Sequence, residues 1–405
     1  MTKSRLRQVR GLQAMSLALC LGVLAALPVA AGSASLMARQ PTAAAAVEVD
    51  ASAGWKPVAP PSGYRKPGVL QSVACPSASL CFAAGSRYVD SQKSTLVVTD
   101  QHGSWTTETS PNIANATGSD EEYAGAIACP AASDCWVVGS YEGSQGYLPL
   151  FEQGDGSTWT LVAGPTTPTL IFDQAVLHGV TCLSVSDCWA VGASDGTLIE
   201  HFDGTGWSIV PSANSGKAGQ DVLNAVTCTS ANACWAVGQQ NTGSSGASNA
   251  GQTLVEFYDG TSWSVVPSPN PLRAGDELLG VACPAAGSCW AVGTVGTGKT
   301  GYDQPLVERL SQGHWTAVQS HLPLGGFLPG VACSPGGPCW AVGVNDKSQK
   351  ATLIERLEGS KVTAEARLPG LGLNSVACPS AGSCWAVGPL SETVESGPLV
   401  YRYQS

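Results

Sequence analysis

Short apolar runs separated by polar, glycine-rich turns follow one another along the chain, and they recur as one four-part unit. The first part reads Leu-x-x-Val-x-Cys, as in Leu223–Cys228. A five-residue turn leads to the second, Cys-Trp-Ala-Val-Gly. It is unchanged at Cys188–Gly192, Cys234–Gly238, Cys289–Gly293, Cys339–Gly343 and Cys384–Gly388, and looser at Cys81–Gly85 and Cys135–Gly139. After a loop of variable length comes the third part, Thr197-Leu198-Ile199-Glu200 or Thr253-Leu254-Val255-Glu256. A tight turn such as Asp203-Gly204-Thr205-Gly206 then delivers the fourth, Trp207-Ser208-Ile209-Val210-Pro211. Runs of this length, rich in β-branched and aromatic residues and bounded by Gly, Asp and Pro, predict strands, and Asp-Gly in a short gap predicts a hairpin. No stretch after the N-terminal region sustains a helical period.

Seven copies, spaced by about fifty residues, fill the chain, so a single repeat architecture replaces the two or three domains that 405 residues would ordinarily suggest. The last unit stops after its third part, Leu399-Val400-Tyr401-Arg402-Tyr403, while an isolated fourth part, Trp55-Lys56-Pro57-Val58, stands at the other end. An open solenoid has no need of a split unit, whereas a ring closes by it. The expected fold is therefore all-β, a seven-bladed β-propeller of four-stranded blades over residues 55–405, with the N-terminal strand completing the C-terminal blade. The first part carries small residues three places before its cysteine: Ser72, Ala126, Gly179, Ala225, Gly280, Gly330 and Ser375. Strands crowded around an axis need such side chains, so this part is expected innermost, with the repeated Trp filling the space between blades. Alternating strand directions put the cysteine and Asp-Gly turns on one face. The variable loops, where function is expected, fall on the other.

Composition agrees with short strands and turns, with 48 Gly, 26 Pro and only 12% charged residues. The N-terminus changes the picture. Lys3, Arg5, Arg7 and Arg10 precede an apolar run over 14–31 and then small residues, so 1–34 reads as a signal peptide. Residues 35–54 read as an Ala-rich linker. Membrane association is expected only if the apolar run stays uncleaved as an anchor. Fourteen cysteines form seven C-x5-C pairs: Cys75 with Cys81, Cys129 with Cys135, Cys182 with Cys188, Cys228 with Cys234, Cys283 with Cys289, Cys333 with Cys339, and Cys378 with Cys384. An even, regular set in an exported chain predicts disulfides and a secreted, extracellular location. Two thiolates would need two further ligands to hold zinc, and the five histidines recur at no fixed place in the repeat. The formal charge of −10, with few cations beyond the leader, argues against nucleic acid as a partner.

The turn residues Asp203-Gly204-Thr205-Gly206-Trp207 and Asp259-Gly260-Thr261-Ser262-Trp263 carry the Asp, Gly and Trp of an Asp box. With the repeat, they make residues 55–405 resemble exported bacterial β-propellers with Asp-box (BNR-like) or kelch-like repeats. That resemblance implies a seven-bladed ring and, for sialidase-like members, an arginine cluster. Tyr64-Arg65-Lys66-Pro67 looks like the opening motif of such domains, and Arg309, Arg356 and Arg402 hold equivalent repeat positions, which places them on separate blades.

Three further patterns bear on chemistry. Gly293–Thr300 fits the phosphate-cradling G-x4-G-K-[ST] pattern, but Pro305 opens a strand where a helix is required, so no nucleotide is expected. Glu152, Glu200, Glu256, Glu308 and Glu355 repeat at one place in the third part, which predicts a structural role with hydrogen-bonded carboxylates. Glu122, Asp221 and Asp276 each lie seven residues before a first cysteine and are expected near one mouth of the channel. There they would form a solvated acidic face, a cation site for Ca²⁺, or an acid/base pair for glycoside cleavage. No other cofactor is expected. The expected function is a monomeric, non-catalytic binding or scaffold module for extracellular glycans or proteins, with a glycoside hydrolase or lyase as the competing expectation.

Overall fold

A computed structural model describes residues 54–404, except 60, 62–67, 90–91, 112, 114–122, 144–145, 166–174, 214–220, 242–250, 272–274, 297–302, 323–324, 346–350, 370–371 and 390–397. The expected signal, the linker up to residue 53, Glu122 and Tyr64–Pro67 lie outside the described residues. Within them the fold is all-β, in seven four-stranded antiparallel sheets. Six blades use consecutive strands, at 68–107, 123–161, 176–209, 222–265, 277–318 and 327–369. The seventh takes Ser375–Ser380, Ser383–Pro389 and Pro398–Gln404, and its fourth strand is Trp55–Pro57. Trp55 pairs with Tyr403 and Pro57 with Tyr401, so the ring closes as the split unit predicts.

The core is not inside the blades but between them. Seven apolar clusters occupy the seven junctions, including the one joining blade 7 to blade 1 through Trp385, Val387, Leu70 and Trp105. The repeated pentapeptide explains this, because side chains alternate across a strand. Trp136 and Val138 of blade 2 pack onto Cys188 and Ala190 of blade 3, and Trp189 and Val191 of blade 3 onto Cys234 and Ala236 of blade 4. Each second-strand Trp then meets the fourth-strand Trp of the following blade edge-on. Centroids lie 5.2 Å apart for Trp136–Trp207, 5.5 Å for Trp189–Trp263 and for Trp235–Trp315, and 5.4 Å for Trp385–Trp105. Trp55 makes the same contact with Trp340 at 5.6 Å, so the N-terminal strand supplies a full blade edge. Such edge-to-face pairs add about 1 kcal/mol each beyond area burial. Only the junction of blades 5 and 6 departs from the all-aromatic rule, with Trp290 against Val362.

The glycine that ends the pentapeptide has a steric cause. The first strand bulges between Leu177 and Gly179, and this brings the Val176 carbonyl over Gly192. A Cβ on Gly192 would sit 1.9 Å from that oxygen, and one on Gly238 equally close to the Val222 oxygen. At the other end of the hairpin all seven expected cysteine pairs are bonded. The second cysteine of each pair is buried in a junction, so the staple fixes the turn that aims the pentapeptide. Among the described residues no helix is long and apolar enough to cross a membrane.

Candidate functional site

The five repeated glutamates are fully buried, and four of them are held across a junction. Ser110 Oγ donates to Glu152 at 2.6 Å, Ser268 Oγ to Glu308 at 2.7 Å and Ser320 Oγ to Glu355 at 2.8 Å. Glu256 takes the Ser212 hydroxyl and the Ala213 N–H, each at 3.2 Å. In every case the serine stands five residues after the fourth-strand Trp of the preceding blade, so the bond latches one blade to the next. Glu200 has no such partner, because Gly164 holds the serine position of blade 2. Neither of its oxygens finds a donor among the described residues. Burial pushes its carboxyl up to about 8, and burial raises Glu308 to about 8 as well, despite Ser268. The expected structural role is therefore met mainly by hydroxyls from the neighbouring blade, with backbone amides such as His321 N–H on Glu355 in support.

The acids expected at the channel mouth occupy different surroundings. Asp221 and Asp276 are buried, at 1% and 0% exposure, and do not form a solvated face. The reason is local. The segment leading into each innermost strand folds down onto the blade, so that Asp276 N–H reaches the Gly251 carbonyl and Asp221 accepts the Asn241 N–H at 2.9 Å. Each acid lies near the third-strand glutamate of its own blade, Asp221 raising the Glu256 pKa and Asp276 that of Glu308. Among the described residues no group of three or more His, Cys, Asp and Glu is placed to hold a metal ion. The arginines of the third strands also stay apart. Arg309 lies over Trp290 and Arg402 over Trp385, each on its own blade.

The site that does gather dissimilar groups is the central channel. Its cavity, about 440 Å³, is lined by all seven innermost strands, and the small residues from Ser72 to Ser375 form its wall as expected. One residue nearer the loop-rich face the repeat breaks down. The residues four before the first cysteine are Gln71, Gly125, His178, Asn224, Leu279, Pro329 and Asn374, so the ring is polar over one arc and apolar over another. Two places further out, Tyr123 and Glu277 occupy equivalent positions on blades 2 and 5. Asn224 Nδ2 donates to Glu277 Oε1 and to the Leu278 carbonyl, both at 2.9 Å. Burial raises the Glu277 pKa, Asn224 lowers it and nearby Asp303 raises it again. A second hollow of about 390 Å³ lies on blade 5, between Pro271, Gln304, Pro305 and Leu322.

The polar residues of the channel mouth were not singled out by the repeat analysis, which stopped at Asp276, one residue before Glu277. The signal that could have found them is negative. They are the positions where seven aligned copies disagree in polarity within an otherwise uniform strand.

No known protein family and no curated protein matches the chain. Solved structures do match its architecture. "YCF48 bound to D1 peptide" is similar over 88% of this chain and 99% of its own, at 13% identity and a TM-score of 0.54. The WD40 β-propeller domain of Doa1 matches over 87% and 98%, at 11% identity and a TM-score of 0.53. A chain of the Mitotic Checkpoint Complex matches over 89% and 98%, at 14% identity and a TM-score of 0.56. At these identities the likeness shows the propeller fold.

Proposed function

We propose that this chain is an exported, non-catalytic scaffold that binds a protein partner through the loop-rich face and the mouth of its channel. The observation that carries this reading is the broken symmetry of the channel ring, where unlike polar side chains converge on one cavity in a molecule otherwise built from identical parts. Functional sites sit in concavities lined by a few convergent polar groups. The buried acids offer little to a substrate, since the carboxylates of Asp221, Asp276 and the five glutamates are sealed within blades or junctions. The peptide bound by YCF48 provides a precedent for a propeller of this fold used in this way. Seven disulfides fit an oxidising, extracellular setting.

The test is to screen the full-length protein against an immobilised peptide library and a glycan array, each with and without Ca²⁺, and to score cleavage of every hit. Saturable peptide binding without turnover supports the reading. Binding confined to glycans, or any turnover, overturns it. A Ca²⁺ requirement would draw Glu122, Asp221 and Asp276 back into the site.

A further inference from the structure

We propose that the face opposite the variable loops is an interface at which two copies of this chain meet, related by a two-fold axis. This face carries the cysteine turns and the turns between third and fourth strands. The two kinds pack together within a blade, since a Cβ on Gly204 would sit 2.8 Å from Ser186 and one on Gly260 2.6 Å from Asn232. The face is also flat. Paired cysteines stand six positions apart in every blade. Two or four residues join the third strand to the fourth in blades 1 to 6. No loop between these strands projects to hold a second flat surface away.

What distinguishes one blade from the next on this face is charge. Blades 2, 3 and 4 bring Asp134, Asp155, Asp187, Asp203 and Asp259, and their one basic neighbour is His201, bonded to Asp187 at 2.9 Å. Blades 5, 6 and 7 bring Arg309, Arg356, Lys361 and Arg402, with Lys56 at the rim. His314 joins them, and their single acid, Glu358, is held by Arg356 at 3.0 Å. Blade 1 has His102 and the buried Asp100. The turn acids stay ionised, because the Thr158 N–H lowers the Asp155 pKa and the Thr205 and Thr261 hydroxyls lower those of Asp203 and Asp259. Among the described residues Asp155, Asp203, Asp259, Lys56, Arg309 and Lys361 enter no ion pair within the chain. One half of the face is thus negative and the other positive.

A face divided in this way is complementary to itself. A two-fold axis in its plane, through blade 1 and between blades 4 and 5, lays blade 2 on blade 7, blade 3 on blade 6 and blade 4 on blade 5. Every acidic blade then meets a basic one, twice over, as an isologous contact requires. Blade 1 meets itself with no exposed acid. Val185, 53% exposed and the most exposed large apolar side chain described, stands in the cysteine turn of blade 3. The same axis sets it on the uncharged Pro335–Pro338 turn of blade 6. Complementary charge fixes register more than it adds affinity, so the dimer is reversible and sensitive to salt. Both loop-rich faces point outward, and the proposal does not depend on what binds them.

The experiment measures the mass of the full-length protein by sedimentation equilibrium, in low salt and in about 1 M salt, where the screening length falls to about 3 Å. A dimer in low salt that dissociates in high salt is expected. Asp203→Lys on blade 3 and Lys361→Glu on blade 6 should each weaken dimerisation at least about tenfold, since like charges then face each other. Asp203→Asn keeps the acceptor that holds its turn and should weaken it less. Mixing the Asp203→Lys and Lys361→Glu proteins should restore a dimer, because each substituted position then faces one of opposite charge. A variant that had merely lost its fold would gain nothing from mixing. A protein that is monomeric in low salt at about 100 μM chain, a dimer indifferent to salt, or variants that mixing does not rescue overturns the proposal. A monomer that still binds peptide at the loop-rich face would sink the dimer and leave the scaffold reading standing.

Discussion

Glu200 is a buried carboxyl without a donor among the described residues, and replacing it by glutamine isolates its charge. The ordinary glutamate value is 4.5, and burial pushes Glu200 to about 8 in the folded state. Between these values the unfolded chain releases a proton that the folded chain retains. Stability is therefore fully present below the unfolded value and is lost as pH rises through the folded one. Linkage puts the loss at about 3 kcal/mol by pH 7 and about 5 kcal/mol by pH 9, against about 1 kcal/mol at pH 5. Glu200→Gln does not titrate, so the variant should gain on the parent by these amounts as pH is raised. Its own unsatisfied amide adds a cost that is the same at every pH. The assay is urea unfolding of both proteins from about pH 5 to pH 9, with disulfides intact and the gap between them plotted against pH. Glu256→Gln is the control, because Ser212 and Ala213 oppose the effect of burial at Glu256 and the gap should widen less. A gap between Glu200→Gln and the parent that stays flat across the range would refute the reasoning, since Glu200 would then titrate alike in both states.

Three other outcomes follow from the junctions and from the hairpin inside each blade. Ser268→Ala removes a 2.7 Å bond to a buried carboxyl and should cost about 1–3 kcal/mol, read as a lower urea midpoint at pH 6. Trp55→Ala should cost about 3–5 kcal/mol and make blade 7 the first site of limited proteolysis, because Trp340 and Tyr403 lose their partner together. Gly192→Ala drives a Cβ against the Val176 carbonyl and should exceed about 4 kcal/mol, measured as loss of soluble protein or of the melting transition.

The architecture was legible because each part of it repeats. Cys-Trp-Ala-Val-Gly announces a strand whose two faces meet different neighbours, and the stray Trp55 announces the closure, so both could be read by aligning the chain with itself. The Ser–Glu latches were half legible. The glutamates recur visibly, but their serines belong to the preceding unit, and only the three-dimensional offset between blades joins Ser212 to Glu256. Asp221 and Asp276 misled for a related reason. Polar residues before an innermost strand look exposed, and their burial follows from segments that fold down onto the blade. The channel mouth was least legible, since Gln71, His178, Asn224 and Asn374 come to one cavity only when the seven blades close into a ring.

The closure through Trp55 changes how the molecule can come apart. A linear array of repeats has two free ends, and its stability leaks from them one unit at a time. Here every blade has a neighbour on both sides, so no unit can fray until a junction has first been broken, and releasing any one blade requires breaking two. The separate junction energies thus act as links of a closed loop, whose resistance to opening is set by its feeblest member. By packing that is the contact of Trp290 with Val362, reinforced by the Ser320 latch onto Glu355.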